Sequence, residues 1–380
     1  MSQFPGSATP SRRGFLLGSA ALGASAAATT YAVPATAAAT AATDASADLV
    51  LTGARGLRSG PITGHHFSMV GVTWRGGPAT ARLRVRTRSH GEWTGWRALR
   101  PLHDGPDGGG EGRPGLRATE PLWTGDCDAI DVRGADGIEA ATLSLIAPGR
   151  DPVLVDPAAR YERVEPGDRS ERKKKAPQPD IVRRRAWGAN EKWRNGGPWF
   201  NRTIQQVHVH HTVNSNDYAP EDVPALLRGI YRYHTKSLGW SDVGYNFLVD
   251  RFGGIWQGRA GGSSLPVLGA HTLGFNSTST GIAVIGNFEE VRPERAVISS
   301  IVRLAAWKLD MYRRTPAGLA GVYSQGSDKF PSGQKVRLPV IDGHRDTNDT
   351  ACPGAHLYAA LPRIRERTQK RVDKFGPQQG

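Results

Sequence analysis

At about residue 180 the spacing of apolar residues changes, and this change limits the architecture more than any other feature of the chain. Before it, apolar and polar residues alternate in short runs such as Phe67-Ser68-Met69-Val70-Gly71-Val72-Thr73-Trp74, Ala81–Thr87 and Thr142–Ile146. A period of two belongs to half-buried strands, so residues 48–160 are expected to form a small all-β, sandwich-like domain, with Gly105–Gly115 as a long loop. After it, strand-like and helix-like runs take turns. Gln206–Thr212 is β-rich, and Val223, Leu226, Leu227, Ile230 and His234 fall at helical spacing. Tyr245–Asp250 and Gly254–Gln257 read as a hairpin about Arg251-Phe252-Gly253, and Gly281–Phe288 as an apolar strand. Val297, Ile301, Leu304, Ala305 and Leu309 mark a second helix, Val336–Ile341 a further strand, and Leu357, Leu361 and Ile364 a last helix. The alternation predicts an α/β domain over 181–375, a central mixed sheet flanked by helices.

Two further segments bound the class. Ser11-Arg12-Arg13-Gly14-Phe15-Leu16-Leu17 has a twin-arginine pattern, followed by an Ala- and Gly-rich run and small residues at Ala35, Ala37 and Ala39. Residues 1–39 are therefore expected to be an export signal, too weakly apolar for a permanent membrane span. A basic stretch, Arg169–Arg185, contains Lys173-Lys174-Lys175 and two prolines, and reads as solvated, with 161–180 as a basic linker. The net charge of +14 suits a polyanion: nucleic acid, an anionic cell wall or a membrane surface. The two cysteines, Cys127 and Cys352, make no disulfide framework, and Cys127 reads as a small buried hydrophobe.

The chemistry-bearing residues fall in the second half. Val207-His208-Val209-His210-His211-Thr212 ends one strand, and His344-Arg345-Asp346 with Cys352-Pro353 follows another. Imidazole and thiolate make a zinc set, and three protein ligands leave a position for water. Such a metal lowers the pKa of its water and polarises a carbonyl, as amide hydrolysis requires. The ligand types are far apart in sequence, and histidines on a buried strand also occur as satisfied core groups, so spacing alone leaves both readings open. Neither H-E-x-x-H nor G-x-S-x-G occurs.

Several blocks occur in order between about 180 and 370: Ile181–Ala189, the His210-His211-Thr212 run, Gly239-Trp240-Ser241-Asp242-Val243-Gly244-Tyr245-Asn246-Phe247, Gly269-Ala270-His271, Gly281–Phe288, Gly343-His344-Arg345-Asp346 and Cys352-Pro353-Gly354. Together they resemble the peptidoglycan recognition proteins, which share a fold with phage lysozyme-type amidases. The resemblance implies Zn2+ held by His210, His344 and Cys352, with His208 and His211 as sheet or supporting residues; the sequence alone leaves His211 open as a ligand. It implies Tyr245 as a catalytic residue near the zinc, able to stabilise an oxyanion. Thr350 stands where phage enzymes carry lysine and recognition-protein amidases carry threonine, offering a neutral hydrogen bond in place of a charge. His234 is expected at the cleft floor, and His271 and Arg345 at the stem peptide, Arg345 through a carboxylate that suits its planar fork. Loop structure for His271 and an internal ion pair for Arg345 stand as alternatives.

The implied function is zinc-dependent hydrolysis of the amide between N-acetylmuramic acid and L-alanine. The partners would be the stem and glycan of bacterial peptidoglycan, together with anionic wall polymers, after export to the wall or medium. The competing expectation is a recognition protein that grips peptidoglycan without cutting it. Nucleic-acid binding has only charge behind it, with no binding motif.

Overall fold

The computed structural model describes residues 29–30, 45–53, 56–78, 81–107, 111–134, 137–138, 140–149 and 175–375. The expected leader, 1–39, lies outside them except for Thr29–Thr30, and so does the linker up to residue 174.

The first half is one hydrogen-bonded sheet. Its strands are β1 (Thr29–Thr30), β2 (Ala47–Thr52), β3 (Arg58–Arg75), β4 (Leu83–Ser89), β5 (Glu92–Trp93), β6 (Arg97–Leu99), β7 (Leu116–Ala118), β8 (Leu122–Arg133) and β9 (Ala140–Ile146). The order is β1-β2-β9-β3-β8-β4-β5, with β6 on β4 and β7 on β3. All pairs are antiparallel except β1 with β2. The 18-residue β3 is the spine, and register shifts near Arg58, Thr63 and Phe67 bend it between its partners β8 and β9. Alternation holds where it was read: Val70, Val72 and Trp74 of β3, Leu83 and Val85 of β4, and Leu143 and Leu145 of β9 share a single apolar core, which includes Cys127. Both cysteines are free and buried.

The second half has a five-stranded sheet of β10 (Gln206–His211), β11 (Phe247–Val249), β12 (Ile255–Gln257), β13 (Ser279–Val284) and β16 (Ile341–Gly343), in the order β12-β11-β13-β10-β16. It is parallel except for the β11–β12 hairpin, whose turn is tied by Asp250 accepting from the Phe252 and Gly254 amides. Helices α2 (Arg295–Met311) and α3 (Ala355–Phe375) cover one face through Val297, Ile301, Leu304, Leu357, Leu361 and Ile364. Helix α1 (Val223–Arg232) covers the other through Leu226, Leu227 and Ile230.

Two expectations need correction. Val336–Ile341 is not one strand: β15 (Lys335–Pro339) pairs with β14 (Leu319–Tyr323) in a separate ribbon, and β16 then enters the main sheet. Pro339 has no N–H to continue the ladder, and Val340 makes the transfer, giving its N–H to Gly318 and its carbonyl to Val207. The basic segment is not solvated throughout, because Arg184 is buried between Asp242 at 3.0 Å and Glu191 at 2.8 Å.

The two halves pack on one another across α1. Met69, Trp123 and Ile146 join the cluster formed by Leu226, Leu227 and Ile230. After α1 the chain makes a π-helical turn, Tyr233–Ser237, which shifts the helical phase. Tyr233 thereby points into the first sheet, its hydroxyl donating to the Thr119 carbonyl at 2.9 Å and its ring lying over the bare backbone of Gly71. Among the described residues no helix is long and apolar enough to cross a membrane.

Candidate metal centre

Strand register builds the centre. In the parallel pair β10–β16, His208 lies opposite Asp342 and Val209 opposite Gly343. The next positions in line are His210 and His344, whose imidazole centroids are 4.7 Å apart, the ordinary spacing of neighbouring strands. Side chains two apart share a face, so the His208–Asp342 contact of 2.6 Å lies directly behind the His210–His344 pair. Cys352 arrives on the loop after His344. The Arg345 amide donates to the Cys352 carbonyl, the Cys352 amide to Thr350 Oγ1, and the His211 amide to the Cys352 sulfur at 3.4 Å.

One ligand-type atom each from His210, His344 and Cys352 lies within 4.8 Å of the others, and all three residues are buried. Tetrahedral zinc bonds of about 2.0–2.3 Å would place ligands somewhat closer together, so a sub-ångström inward movement suffices. One observation fits a cation: the fully buried His344 has no partner at Nε2, and its Nδ1 meets the Asp104 carboxylate at 3.0 Å. Burial pushes the Cys352 thiol well above its ordinary range, so alone it stays protonated. A buried thiol of that kind becomes a thiolate when a metal compensates its charge. Burial likewise lowers His210 to about 4, despite the opposing pull of Asp104, which keeps the imidazole neutral and fit to coordinate.

The expected site residues are only partly gathered here. Tyr245 is buried beside the cluster, 5.6 Å from His210 between ring centroids, and burial followed by the nearby Asp104 raises its phenol well above normal. It is therefore a permanent donor. His234 lies beneath it, its ring 4.5 Å from Trp240 and its Nδ1 accepting from the Gly244 amide. His271 is fully buried behind His210, its Nδ1 3.1 Å from His210 Nε2 and its ring against Gly281, where any Cβ would collide. That places it as a support of His210, with no face turned outward. Thr350 Oγ1 accepts from the Cys352 amide, and Arg345 stacks on Tyr358 and reaches Ala351, Cys352 and Glu289, the internal-pair alternative. His211 stands aside, accepting from the Phe288 amide.

The sequence reading missed Asp104. It comes from the first half, on the strap between β6 and β7, and its Oδ1 lies 3.0 Å from His344 Nδ1 and 3.5 Å from His210 Nδ1. Tyr245 donates to its other oxygen. Burial raises this carboxyl, but the two imidazoles more than offset that and hold it well below the usual range, so it is charged. No local signal marks it: Asp104-Gly105-Pro106-Asp107 is turn-like and over 100 residues from any ligand. The His208–Asp342 pair was equally silent, since register alone reveals it.

Both halves of the chain are similar to known proteins. A family model described as N-acetylmuramoyl-L-alanine amidase matches residues 200–355, and one described as Rv3811 N-terminal galactose-binding domain-like matches 25–162. Peptidoglycan-recognition protein SC1a of Drosophila melanogaster is 29% identical over 180 residues, 47% of this chain and 82% of that protein. Peptidoglycan-recognition protein SC2 of the same organism is 31% identical over 150 residues, 40% of this chain and 68% of its own. Among solved structures, Drosophila PGRP-LB wild-type aligns at 26% identity over 48% of this chain and 91% of its own, with a TM-score of 0.38. The chain belongs to the peptidoglycan-recognition protein and type 2 amidase family.

Proposed function

We propose that the chain is a zinc-dependent N-acetylmuramoyl-L-alanine amidase that releases stem peptides from bacterial peptidoglycan, acting outside the cytoplasm after twin-arginine export. The observation that carries this reading is the complete, buried set of His210, His344 and Cys352 beside Tyr245. Family members that only bind would not need that set.

Zinc bound there would supply a Lewis acid for the lactyl carbonyl and acidify a water for attack. The chain's own residues do the rest. His271 Nδ1 and Thr272 Oγ1 engage His210 Nε2 at 3.1 and 3.2 Å and turn its Nδ1 inward. The Tyr245 hydroxyl, protonated at any physiological pH, donates to Asp104, and with that carboxylate displaced it can donate to the oxyanion of the tetrahedral intermediate. Burial of the cluster strengthens each of these interactions.

The test is incubation of the zinc-loaded chain with peptidoglycan, with and without chelator, followed by mass analysis of released fragments. Because Asp104 lies among the ligands, Asp104→Asn is assayed beside the native chain. Free stems with an intact L-alanine N-terminus, lost on chelation, are expected from at least one of the two. Binding of peptidoglycan by both without release would leave a recognition protein, and muropeptides still joined to sugar would refute the bond assignment.

A further inference from the structure

The strap that carries Asp104 joins β6 to β7, and its described residues make a series of contacts to the amidase half. Asp107 Oδ1 accepts from the Gly274 amide at 2.6 Å and from Asn276 Nδ2 at 2.7 Å, and Asn276 Nδ2 also donates to the Gly105 carbonyl. Glu111 Oε1 accepts from the Ser241 amide at 3.1 Å, from Ser241 Oγ at 2.9 Å and from the Arg259 guanidinium. The Gly112 amide donates to the Gly239 carbonyl and Arg113 to the Lys236 carbonyl. The strap thus lays three carboxylates across the site's donors, the first of them between the two histidines. Side chains of Glu111 and Arg259 are 6% and 3% exposed, a pairing that neither could keep without the other.

We propose that this strap is an intramolecular ligand: Asp104 takes the metal's remaining position while Asp107 and Glu111 tie the strap over the donors around it, so the site is closed until the strap is displaced. The Asp104 carboxylate lies 3.0 and 3.5 Å from the Nδ1 atoms of His344 and His210, and a fourth protein ligand would make a zinc site of the closed type, whereas an open corner is the catalytic type. The strap connects two short strands, β6 on β4 and β7 on β3. It can leave while the Tyr233 and Trp123 contacts of that sheet stay in place, so displacement does not require the halves to separate. A competing anionic ligand acts by taking over the donors that Asp107 and Glu111 hold. The inference rests on the metal reading of the cluster and is independent of whether the chain cuts peptidoglycan.

The test uses the full chain loaded with cobalt(II), whose visible spectrum reports ligand number, titrated with azide as a small anionic probe. Three proteins are compared: native, Asp104→Asn, and the double variant Asp107→Asn with Glu111→Gln, in which no ligand is touched. The native spectrum is expected to resist azide, and both variants to respond at concentrations at least tenfold lower. Asp104→Asn should also change the cobalt spectrum before azide is added, as loss of a direct ligand does. Should Asp104→Asn fail to fold, the double variant still carries the comparison. Equal azide response within twofold for native and double variant would overturn the proposal, as would a native spectrum identical to that of Asp104→Asn. If all three proteins leave peptidoglycan intact yet differ towards azide, the amidase reading falls and this one stands; an active native enzyme with equal azide response gives the reverse.

Discussion

Gly71→Ala should loosen the contact between the two halves, because the added methyl has no room. A Cβ at residue 71 would lie 2.3 Å from Tyr233 Cε2 and 2.5 Å from its Cζ. Carbon atoms rest at about 3.5–4.0 Å, so the ring must retreat by roughly 1.2 Å. It is fully buried, and its hydroxyl is bonded to the Thr119 carbonyl at 2.9 Å, so it cannot slide without breaking that bond. Overpacking costs about 1–3 kcal/mol, and a buried carbonyl left without its donor adds about 1–3 kcal/mol. The expected loss is about 3 kcal/mol, a large share of a typical domain's stability. Urea unfolding followed by tryptophan fluorescence would read it in the first transition, since a chain of two packed halves need not unfold in one step. Tyr233→Leu removes the ring that the methyl strikes. In Gly71→Ala/Tyr233→Leu the two losses should therefore fall short of their sum by at least about 1 kcal/mol, the sign of direct contact. Stability of Gly71→Ala within about 0.5 kcal/mol of native, or strict additivity in the cycle, would refute the packing argument.

Cys352→Ser should lower zinc occupancy sharply and abolish stem release while the β3–β9 sheet keeps its fold, as metal analysis and circular dichroism of one sample would show. Tyr245→Phe keeps the ring and removes the donor; kcat should fall on the order of tenfold to a thousandfold with KM little changed, and an unchanged kcat would remove Tyr245 from the chemistry. His234 is lowered by burial to about 3 from an ordinary 6.5. Below pH 6.5 the unfolded chain takes up a proton that the folded chain refuses until about pH 3, so this group's contribution is complete above 6.5 and declines through that window. His234→Asn should remove up to about 1.4 kcal/mol per pH unit from the acid slope of unfolding, measured by urea titration at pH 6, 5 and 4; an unaltered slope would show that His234 charges in the folded state.

Much of the scaffold was legible because it rests on local pattern. Alternation marked β3, β4 and β9, helical spacing marked α1, α2 and α3, and the Arg251-Phe252-Gly253 turn marked the β11–β12 hairpin. What failed was decided by single backbone groups: Pro339 and Val340 split a continuous apolar run between two sheets, a property of hydrogen-bond direction and not of hydropathy. The three candidate ligands that the structure brings together were reachable through resemblance and their residue types. His271 and Arg345 were expected at the stem peptide, yet His271 is buried against His210 and Arg345 stacks on Tyr358, and no spacing rule states which way a loop side chain faces. Asp104 was beyond reach, because its partner atoms belong to another half of the molecule.

The side-by-side register of β10 and β16 has a consequence for how the protein can be handled. Two of the three donors are spaced by main-chain ladders and by the His208–Asp342 contact behind them, none of which uses an ion. A pocket held by such bonds should keep its shape before it is filled, unlike small fingers whose chains collapse into shape only around their zinc. Emptying it should therefore leave a folded apoprotein that accepts a foreign divalent ion at room temperature. Such metal exchange needs no refolding, and the cell could load the centre at any stage after the sheet has formed.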